Sequence, residues 1–347
     1  MSPPTAIPEG SLILVTGANG FIASHVIQKF LQRGFKVRGT VRSVTKSEWL
    51  VKEQFRTEAA DGSFELVAVE DMSKEGSHRE AIRGVAAVVH IATPFDGDPN
   101  PNNVIPSTVA AVKDLLNLAV NEPSVKSFVY TSSVGAVTML VGGVPFHVDQ
   151  NSWNEAAVEM SWAPPPYTPD RALIVYVGSK VAAEKAFWEF VKERKPSFRA
   201  NAVLPVTVFG PLLNAHQKAT TNGMVYSLYN GHVGSFTQFN ATRFIDVRDV
   251  AAIHVAAALD LSVKNARLNT WSTPFNWNDV LAILRKLYPE KKFISNLEGQ
   301  GEFLGTVDDS LEKNLLEKWE NQKDWISLED GVRDMINGTW PDSVFGW

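Results

Sequence analysis

The clearest structural signal in this chain is Leu12-Ile-Leu-Val-Thr16-Gly-Ala-Asn-Gly20-Phe-Ile-Ala23. Its first five residues form a short apolar run that is typical of a buried strand, and Gly17 follows at once. Apolar residues then recur with helical spacing from Phe21 until Gly34. A strand, a glycine turn and a helix in this order predict a dinucleotide-binding turn. In such a turn the backbone approaches the pyrophosphate, and the N–H groups of the first helical turn point at it.

The residues of this turn that are predicted to contact the cofactor are Gly17, Asn19, Gly20, Phe21 and Ile22. Ala23 stands where a small side chain allows the helix to pack closely on the strand. The alternative is an ordinary tight connection between a strand and a helix.

The residues after the second predicted strand indicate which dinucleotide is bound. Lys36-Val-Arg-Gly-Thr40 ends without the Asp or Glu that would accept hydrogen bonds from an adenosine ribose. Arg42 and Lys46 follow instead, and a guanidinium suits a ribose 2′-phosphate. The pattern therefore favours NADP over NAD, with solvated loop charges as the alternative.

Further apolar runs predict strands over residues 64–68, 87–92, 127–133 and 198–204. Ligands collect at the carboxyl ends of the strands of an open parallel sheet, so we expect cofactor contacts there. The residues concerned are Asp71, Met72, Ala92, Thr93 and Thr131. For Asp71 two interpretations stay open, since it can accept from an adenine amine or cap the next helix.

Tyr176 and Lys180 form a second signal, because residues four apart share one face of a helix. A positive charge beside a phenol lowers its pKa, which suits proton transfer. The spacing recurs at Tyr288 and Lys292, but Pro289 argues against a helix there. The hydroxyls at 131–133 end a predicted strand, where they can donate to a substrate oxygen or form a turn.

Composition excludes several classes of function. The 347 residues include no cysteine, which excludes disulfides, thiolate catalysis and sulfur-ligated metal sites. A formal net charge of -5 without a broad basic stripe argues against a nucleic-acid partner. We see no signal-peptide pattern, membrane-span pattern or metal-ligand cluster, and therefore expect a cytoplasmic protein without a membrane partner or a metal.

Three motifs, taken in order and spacing, resemble those of the extended short-chain dehydrogenase/reductases. They are the glycine turn at 16–23, the Ser132-Ser133 strand end and the Tyr176–Lys180 pair. Lys36-Val-Arg-Gly-Thr-Val-Arg42 and Phe244-Ile-Asp-Val-Arg-Asp-Val250 resemble, more narrowly, the branch with plant dihydroflavonol and cinnamoyl-CoA reductases. Val69-Glu-Asp-Met72 is most similar to the fungal and yeast carbonyl (aldehyde) reductases of that branch.

The resemblance implies an α/β fold, with a Rossmann-type doubly wound parallel sheet and a smaller mixed α/β C-terminal substrate lobe. Residues 1–210 would form mainly the NADP-binding domain, to which residues 242–262 would return. Residues 211–347 would form mainly the substrate-binding lobe.

The resemblance also implies an NADPH-dependent carbonyl reductase of small-molecule ketones or aldehydes, as a monomer or a homodimer. Ser133 would bond the substrate carbonyl, Tyr176 would deliver the proton, and Lys180 would hold the nicotinamide ribose. Two residues, Pro205 and Val208, would contact the nicotinamide. The residues expected to line the substrate pocket are Phe95, Val134, Met224, Tyr226, Phe236 and Gln238.

One segment departs from the family pattern. The helix before the serine strand often carries Gly-Thr-x-Asn in relatives, whereas the matching residues here are Ala111-Val-Lys-Asp114. If that asparagine supports a proton-relay water in relatives, the relay is altered here, with Asn117 as a candidate substitute.

Two other functions share the fold. An NAD-dependent nucleotide-sugar epimerase or dehydratase has the same Ser/Tyr/Lys set, but usually has an acidic residue after the second strand. A non-catalytic NADP-sensing regulator would tend to lose the Tyr/Lys pair.

Overall fold

The computed structural model describes residues 3–94, 97–218, 221–234 and 239–342. The strands of these residues are β1 Leu12–Thr16, β2 Lys36–Val41, β3 Phe64–Ala68, β4 Ala87–His90, β5 Ser127–Thr131, β6 Phe146–Val148, β7 Arg199–Pro205, β8 Thr207–Phe209, β9 Thr242–Asp246, β10 Arg267–Thr270, β11 Pro274–Phe275 and β12 Gly305–Val307.

The α-helices of the same residues lie between and after these strands. They are α1 Phe21–Gln32, α2 Arg56–Ala60, α3 Pro101–Asn121, α4 Glu155–Ser161, α5 Ala172–Arg194, α6 Thr221–Tyr229, α7 Val247–Leu259, α8 Trp277–Leu287, α9 Ser310–Glu320 and α10 Leu328–Asn337. Within this part of the chain, no helix combines the length and the apolar character that a membrane crossing requires.

The central sheet has seven strands in the order β10-β7-β5-β4-β1-β2-β3. Every neighbouring pair is parallel, which confirms the predicted Rossmann-type α/β fold. The strand order reverses at β1, which lies between β2 and β4. Such a reversal opens a crevice at the carboxyl ends of the strands, where ligands of open α/β sheets bind.

Helices cover both faces of the sheet, as the contacts of two neighbouring residues of β5 show. Tyr130 faces α5, where its ring stacks on Phe187 with 5.5 Å between ring centroids. The next residue, Thr131, faces α7 and hydrogen-bonds His254 at 2.8 Å. Because the central strands are buried from both sides, they appear in the sequence as continuous apolar runs.

A smaller lobe follows the main sheet. The strands β11, β9 and β8 form one short sheet, and β12 pairs with β6. Phe209 of β8 packs against Phe244 of β9 and Phe275 of β11, with ring centroids 5.7 and 5.4 Å apart. We propose that this lobe binds the substrate. Its bounds differ from those predicted, because β8 and β9 lie in the sheet of the lobe and β10 lies in the central sheet.

The observed strands differ from the prediction at β4, at β7, at β10 and at β5, which ends at Thr131 and not at residue 133. β4 stops at His90 because the N–H groups of Ile91 and Ala92 donate to the Thr16 side chain instead of a neighbouring strand. β7 includes Pro205, which pairs with Thr270 of β10. The edge strand β10 itself was not predicted, since Leu268 is its only large apolar residue.

Candidate active site

The turn between β1 and α1 has the shape that a dinucleotide requires. Gly17 has a φ of +70°, and a β-carbon added there would lie 3.0 Å from the Ala92 β-carbon. α1 begins with Gly20 as its N-cap, and no side chain caps its first turn. The N–H groups of that turn can therefore bind an anion, so the predicted residues fit a pyrophosphate.

Thr16 joins this turn to the end of β4. Its hydroxyl oxygen accepts from the N–H groups of Ile91 and Ala92, each at 3.0 Å. The same hydroxyl lies 2.9 Å from His90 Nδ1. Burial holds the pKa of His90 well below its ordinary value, so this ring stays neutral, in keeping with a packing role.

Arg42 lies directly after β2, at the edge where an adenosine ribose would bind. Both Arg42 and Lys46 are exposed, and neither pairs with a carboxylate among the residues the structure describes. Arg38, four residues earlier, is engaged with Glu65 at 2.6 Å and with two backbone carbonyls. Arg42 and Lys46 are thus the cations that fit a 2′-phosphate.

Asp71 and Met72 follow β3 near the same edge. Asp71 is exposed, and its Oδ1 accepts from the backbone N–H and the hydroxyl of Ser73, at 3.0 and 2.6 Å. These bonds form a local turn and cap no helix, because no helix lies among the described residues between β3 and β4, while Met72 is half-buried. Adenine binding by Asp71 stays a prediction.

The structure brings Ser133, Tyr176 and Lys180 together. Ser133 Oγ accepts from the Gly135 N–H at 3.1 Å, and its hydroxyl bonds the Tyr176 phenol. Lys180, one helical turn after Tyr176 on α5, donates to the Thr131 carbonyl at 2.7 Å and to Thr93 Oγ1 at 3.2 Å. The second pair, Tyr288 and Lys292, lies beyond the end of α8, as predicted.

Burial has the largest effect on the pKa values of Lys180 and Tyr176. It lowers the pKa of Lys180 to about 7, against a raising effect of Glu184. It also raises the pKa of Tyr176, and the opposing effect comes from the Ser133 hydrogen bond. The Ser133 hydrogen bond is thus the effect that opposes burial at Tyr176, and a lowering of this pKa by Lys180 stays a prediction.

The other predicted residues differ in burial and in hydrogen bonding. The Thr131 hydroxyl bonds His254, so only its carbonyl faces Lys180. Val134 is buried directly after Ser133, and Met224 is half-buried on α6. Pro205 and Val208 are buried at the end of β7 and in β8.

One predicted pocket residue is corrected, and three predicted residues lie outside the described residues. Tyr226 is fully buried, and its hydroxyl donates to the carbonyls of Met335 and Thr339, so it belongs to the lobe core. Asp114 Oδ1 accepts from the Gly76 N–H at 2.7 Å, and Asn117 is exposed, while a proton relay through Asn117 stays a prediction. The residues outside the described ranges are Phe95, Phe236 and Gln238.

Sequence reasoning missed a buried carboxylate behind the trio. Glu184 lies on α5 one turn after Lys180, is fully buried, and pairs with Arg267 of β10 at 2.7 Å. It also accepts from the Ser132 hydroxyl at 2.5 Å. The signal for it was present, since an acidic residue four positions after Lys180 shares the helix face of the catalytic pair.

Comparisons with known proteins agree with this geometry. The family model described as the NAD dependent epimerase/dehydratase family matches residues 13–269. Aldehyde reductase 2 of Sporidiobolus salmonicolor is 36% identical over 334 residues, which are 95% of this chain and 96% of that protein. Ketoreductase adrE of Penicillium roqueforti is 33% identical over 335 residues, covering 94% and 97%.

A solved structure extends the likeness to three dimensions. The crystal structure of yeast methylglyoxal/isovaleraldehyde reductase Gre2 complexed with NADPH has a TM-score of 0.76 to this chain. It is 27% identical, and the match covers 93% of this chain and 96% of that one. The chain therefore belongs to the NAD dependent epimerase/dehydratase family of extended short-chain dehydrogenase/reductases, together with fungal aldehyde reductases and ketoreductases.

Proposed function

We propose that this protein is an NADPH-dependent carbonyl reductase that converts ketones or aldehydes into alcohols, with Tyr176 as the proton donor. The observation that carries the proposal is the hydrogen bond between Ser133 and Tyr176, one helical turn from the buried Lys180. Relatives named aldehyde reductase and ketoreductase support an oxidoreductase that acts on carbonyl groups. The NADPH complex of Gre2 supports NADPH as the cofactor.

The residues that would hold NADPH lie along the carboxyl edge of the sheet. The N–H groups that follow Gly20 would bind the pyrophosphate, and Arg42 with Lys46 would bind the 2′-phosphate. Lys180 would hold the nicotinamide ribose. When bound, NADPH supplies the hydride that reduces the carbonyl carbon.

Ser133 and Tyr176 would act on the oxygen of the substrate carbonyl. Negative charge grows on that oxygen during reduction, and hydroxyl donors aimed at it stabilise the transition state more than the ground state. Tyr176 would transfer its phenolic proton to the oxygen, a step worth about 10² to 10⁴ in rate. Ser133 would hold the oxygen in place, and the Lys180 ammonium would add positive charge nearby.

A nucleotide-sugar epimerase or dehydratase is the second candidate, because the matching family model carries that description. The residues after β2 count against it, since Arg42 stands there and no acidic side chain follows until Glu48. Tightly bound NAD in the purified protein would favour this candidate. A non-catalytic sensor is less well supported, because the Ser133, Tyr176 and Lys180 set is complete.

The proposal is tested by NADPH consumption with a panel of aryl ketones, α-keto esters and aldehydes. We expect Tyr176→Phe to lower kcat by about 10²-fold or more, while NADPH still binds in a fluorescence titration. Tyr288→Phe is the matched control, because Tyr288 lies at the end of α8 and its hydroxyl bonds Asn337. A Tyr176→Phe variant with full activity would contradict the assigned mechanism.

A further inference from the structure

Glu184 is the centre of a buried polar network behind the catalytic trio. Its Oε2 accepts from the Ser132 hydroxyl at 2.5 Å. Its Oε1 accepts from Arg267 Nε at 2.7 Å and from the Trp188 indole N–H at 3.0 Å. The carboxylate is fully buried, so both of its oxygens are held in fixed positions.

Arg267 fixes the other side of this network. It is 5% exposed, and it donates to the carbonyls of Gln150 and Ser152 at 3.0 and 2.9 Å. Its guanidinium carbon lies 4.1 Å from the centre of the Trp153 ring. Burying an ion pair gives little or no net stability compared with apolar side chains of similar size. The pair is therefore better explained by what it positions than by folding stability.

The network continues to the reacting groups through the last residues of β5. Ser132 directly precedes Ser133, which bonds Tyr176. The carbonyl of Thr131 accepts from Lys180. Three consecutive residues of the strand end are thus tied to α5, and Glu184 holds the middle one.

We propose that Glu184, fixed by Arg267, is a positioning residue for carbonyl reduction, which holds Ser132 and thereby sets Ser133 against Tyr176. This inference rests on the proposed function, because it concerns the geometry of that reaction. Glu184 touches neither substrate nor cofactor in this scheme. It acts through Ser132, and its effect is on the rate of the chemical step.

Ser132→Ala tests the link most cleanly, because it removes one hydrogen bond and leaves Glu184 paired with Arg267 and Trp188. We expect kcat to fall about tenfold, since a displacement of about 1 Å can reduce rate by up to about 10²-fold. The KM for the carbonyl and the Kd for NADPH should stay within about twofold, because the Ser132 hydroxyl donates to Glu184 and is not available to a ligand. A kcat equal to that of the wild type would overturn the proposal.

Ser127→Ala is the matched control on the same strand. Ser127 is also buried, at the opposite end of β5, and its hydroxyl has no hydrogen-bond partner among the described residues. We expect its kcat to equal that of the wild type. An equal loss of kcat in both variants would mean that any serine replacement in β5 disturbs the enzyme, and would also overturn the proposal.

Glu184 itself is tested with a pair of variants, because Glu184→Gln leaves the Arg267 charge buried without a partner and can prevent folding. The double variant Glu184→Met/Arg267→Met removes both charges and also the acceptor of the Ser132 hydrogen bond, and it should fold. We expect its circular dichroism to match the wild type while its kcat stays about tenfold or more below it. A double variant that regains both stability and kcat would show a purely structural pair.

Different results would refute the proposed function and the positioning role of Glu184. A wild-type protein that binds NADPH but reduces no carbonyl of the panel would refute the proposed function. An active wild type whose Ser132→Ala and double variants keep full kcat would refute only the positioning role.

Discussion

Arg42 and Arg38 lie four residues apart, yet only one of them is available to a ligand. Arg38 on β2 is bonded to Glu65, Ala81 and Arg83. Arg42 is exposed just beyond the strand, with no carboxylate partner in the ranges that the structure covers. A free guanidinium at this edge presents the forked donors that a phosphate monoester accepts. We therefore propose that Arg42 selects NADPH over NADH.

Replacing Arg42 tests this attribution. We expect Arg42→Gln to raise the KM for NADPH by about 10- to 100-fold, because a hydrogen bond to a charged group contributes about 1.5 to 3 kcal/mol. The KM for NADH should not change, since NADH lacks the 2′-phosphate. Initial rates at varied NADPH and NADH concentrations give the two KM values and their ratio.

Arg38→Gln is the control for this experiment. It should lower the thermal stability of the protein, because Arg38 joins β2 to Glu65 and to the segment before β4. The ratio of NADPH to NADH efficiency should stay that of the wild type. If Arg42→Gln keeps the wild-type preference for NADPH, the 2′-phosphate site lies elsewhere.

Among the elements, the turn between β1 and α1 requires a glycine at its first position. We expect Gly17→Ala to weaken NADPH binding about tenfold, because its β-carbon would lie 3.0 Å from the Ala92 β-carbon in a left-handed backbone conformation. The left-handed conformation alone costs about 1 to 2 kcal/mol for a non-glycine residue. Fluorescence titration gives the Kd for NADPH, and thermal unfolding gives the stability.

Gly62→Ala is the control for Gly17→Ala, because it introduces the backbone strain without a new contact at the cofactor turn. Gly62 has a φ of +78°, with nothing within 4 Å of an added β-carbon. This variant should lose stability to a similar extent and keep the wild-type Kd for NADPH. A Gly17→Ala variant that binds NADPH as tightly as Gly62→Ala does would remove the turn from the cofactor site.

The edge strand β10 depends on a buried carboxyl of α9. Glu312 Oε1 accepts from the Asn269 N–H at 2.6 Å, and burial raises the pKa of Glu312 from 4.5 to about 8. Asp309 and Asp308 also raise this pKa. The folded state binds this proton more tightly than the unfolded state, so the stability that it contributes is lost as pH rises from about 4.5 through 8.

Glu312→Gln should remove this loss of stability at high pH. The amide oxygen can accept the same bond, and the side chain cannot ionise. At pH 5 the free energy of unfolding should be close to that of the wild type, and at pH 9 it should be higher by on the order of 4 kcal/mol. Urea unfolding at both pH values measures it. Glu317→Gln, an exposed change on the same helix, should show no such pH-dependent gain.

Elements were predictable from sequence where burial alone explains them. β1 and β5 are apolar at most of their buried positions, so their locations follow from hydrophobic runs. β10 is different, because Arg267-Leu-Asn-Thr270 has one large apolar side chain. It is held by parallel pairing with β7 and by the bond from Arg267 to Glu184, 83 residues away. Contacts at that separation leave no local pattern.

On the scale of the whole molecule, some residues of the candidate site were predictable from the sequence and others were not. Ser133, Tyr176 and Lys180 were predictable because each belongs to a short motif on one element. The position of Asp114 against Gly76 was not, because it depends on how α3 packs against the segment after β3. The Glu184 network joins α5, β5 and β10, and it becomes visible only when the sheet is assembled.

Our central proposal is that this protein transfers a hydride from NADPH to a carbonyl carbon. It is tested most directly with NADPH that carries deuterium at C4 of the nicotinamide, a ketone from the active panel, and mass spectrometry of the product. We predict an alcohol with one deuterium on the former carbonyl carbon, formed by the wild type and only in traces by Tyr176→Phe. Copurified NAD and a product that gains no deuterium from added NADPH would contradict the account.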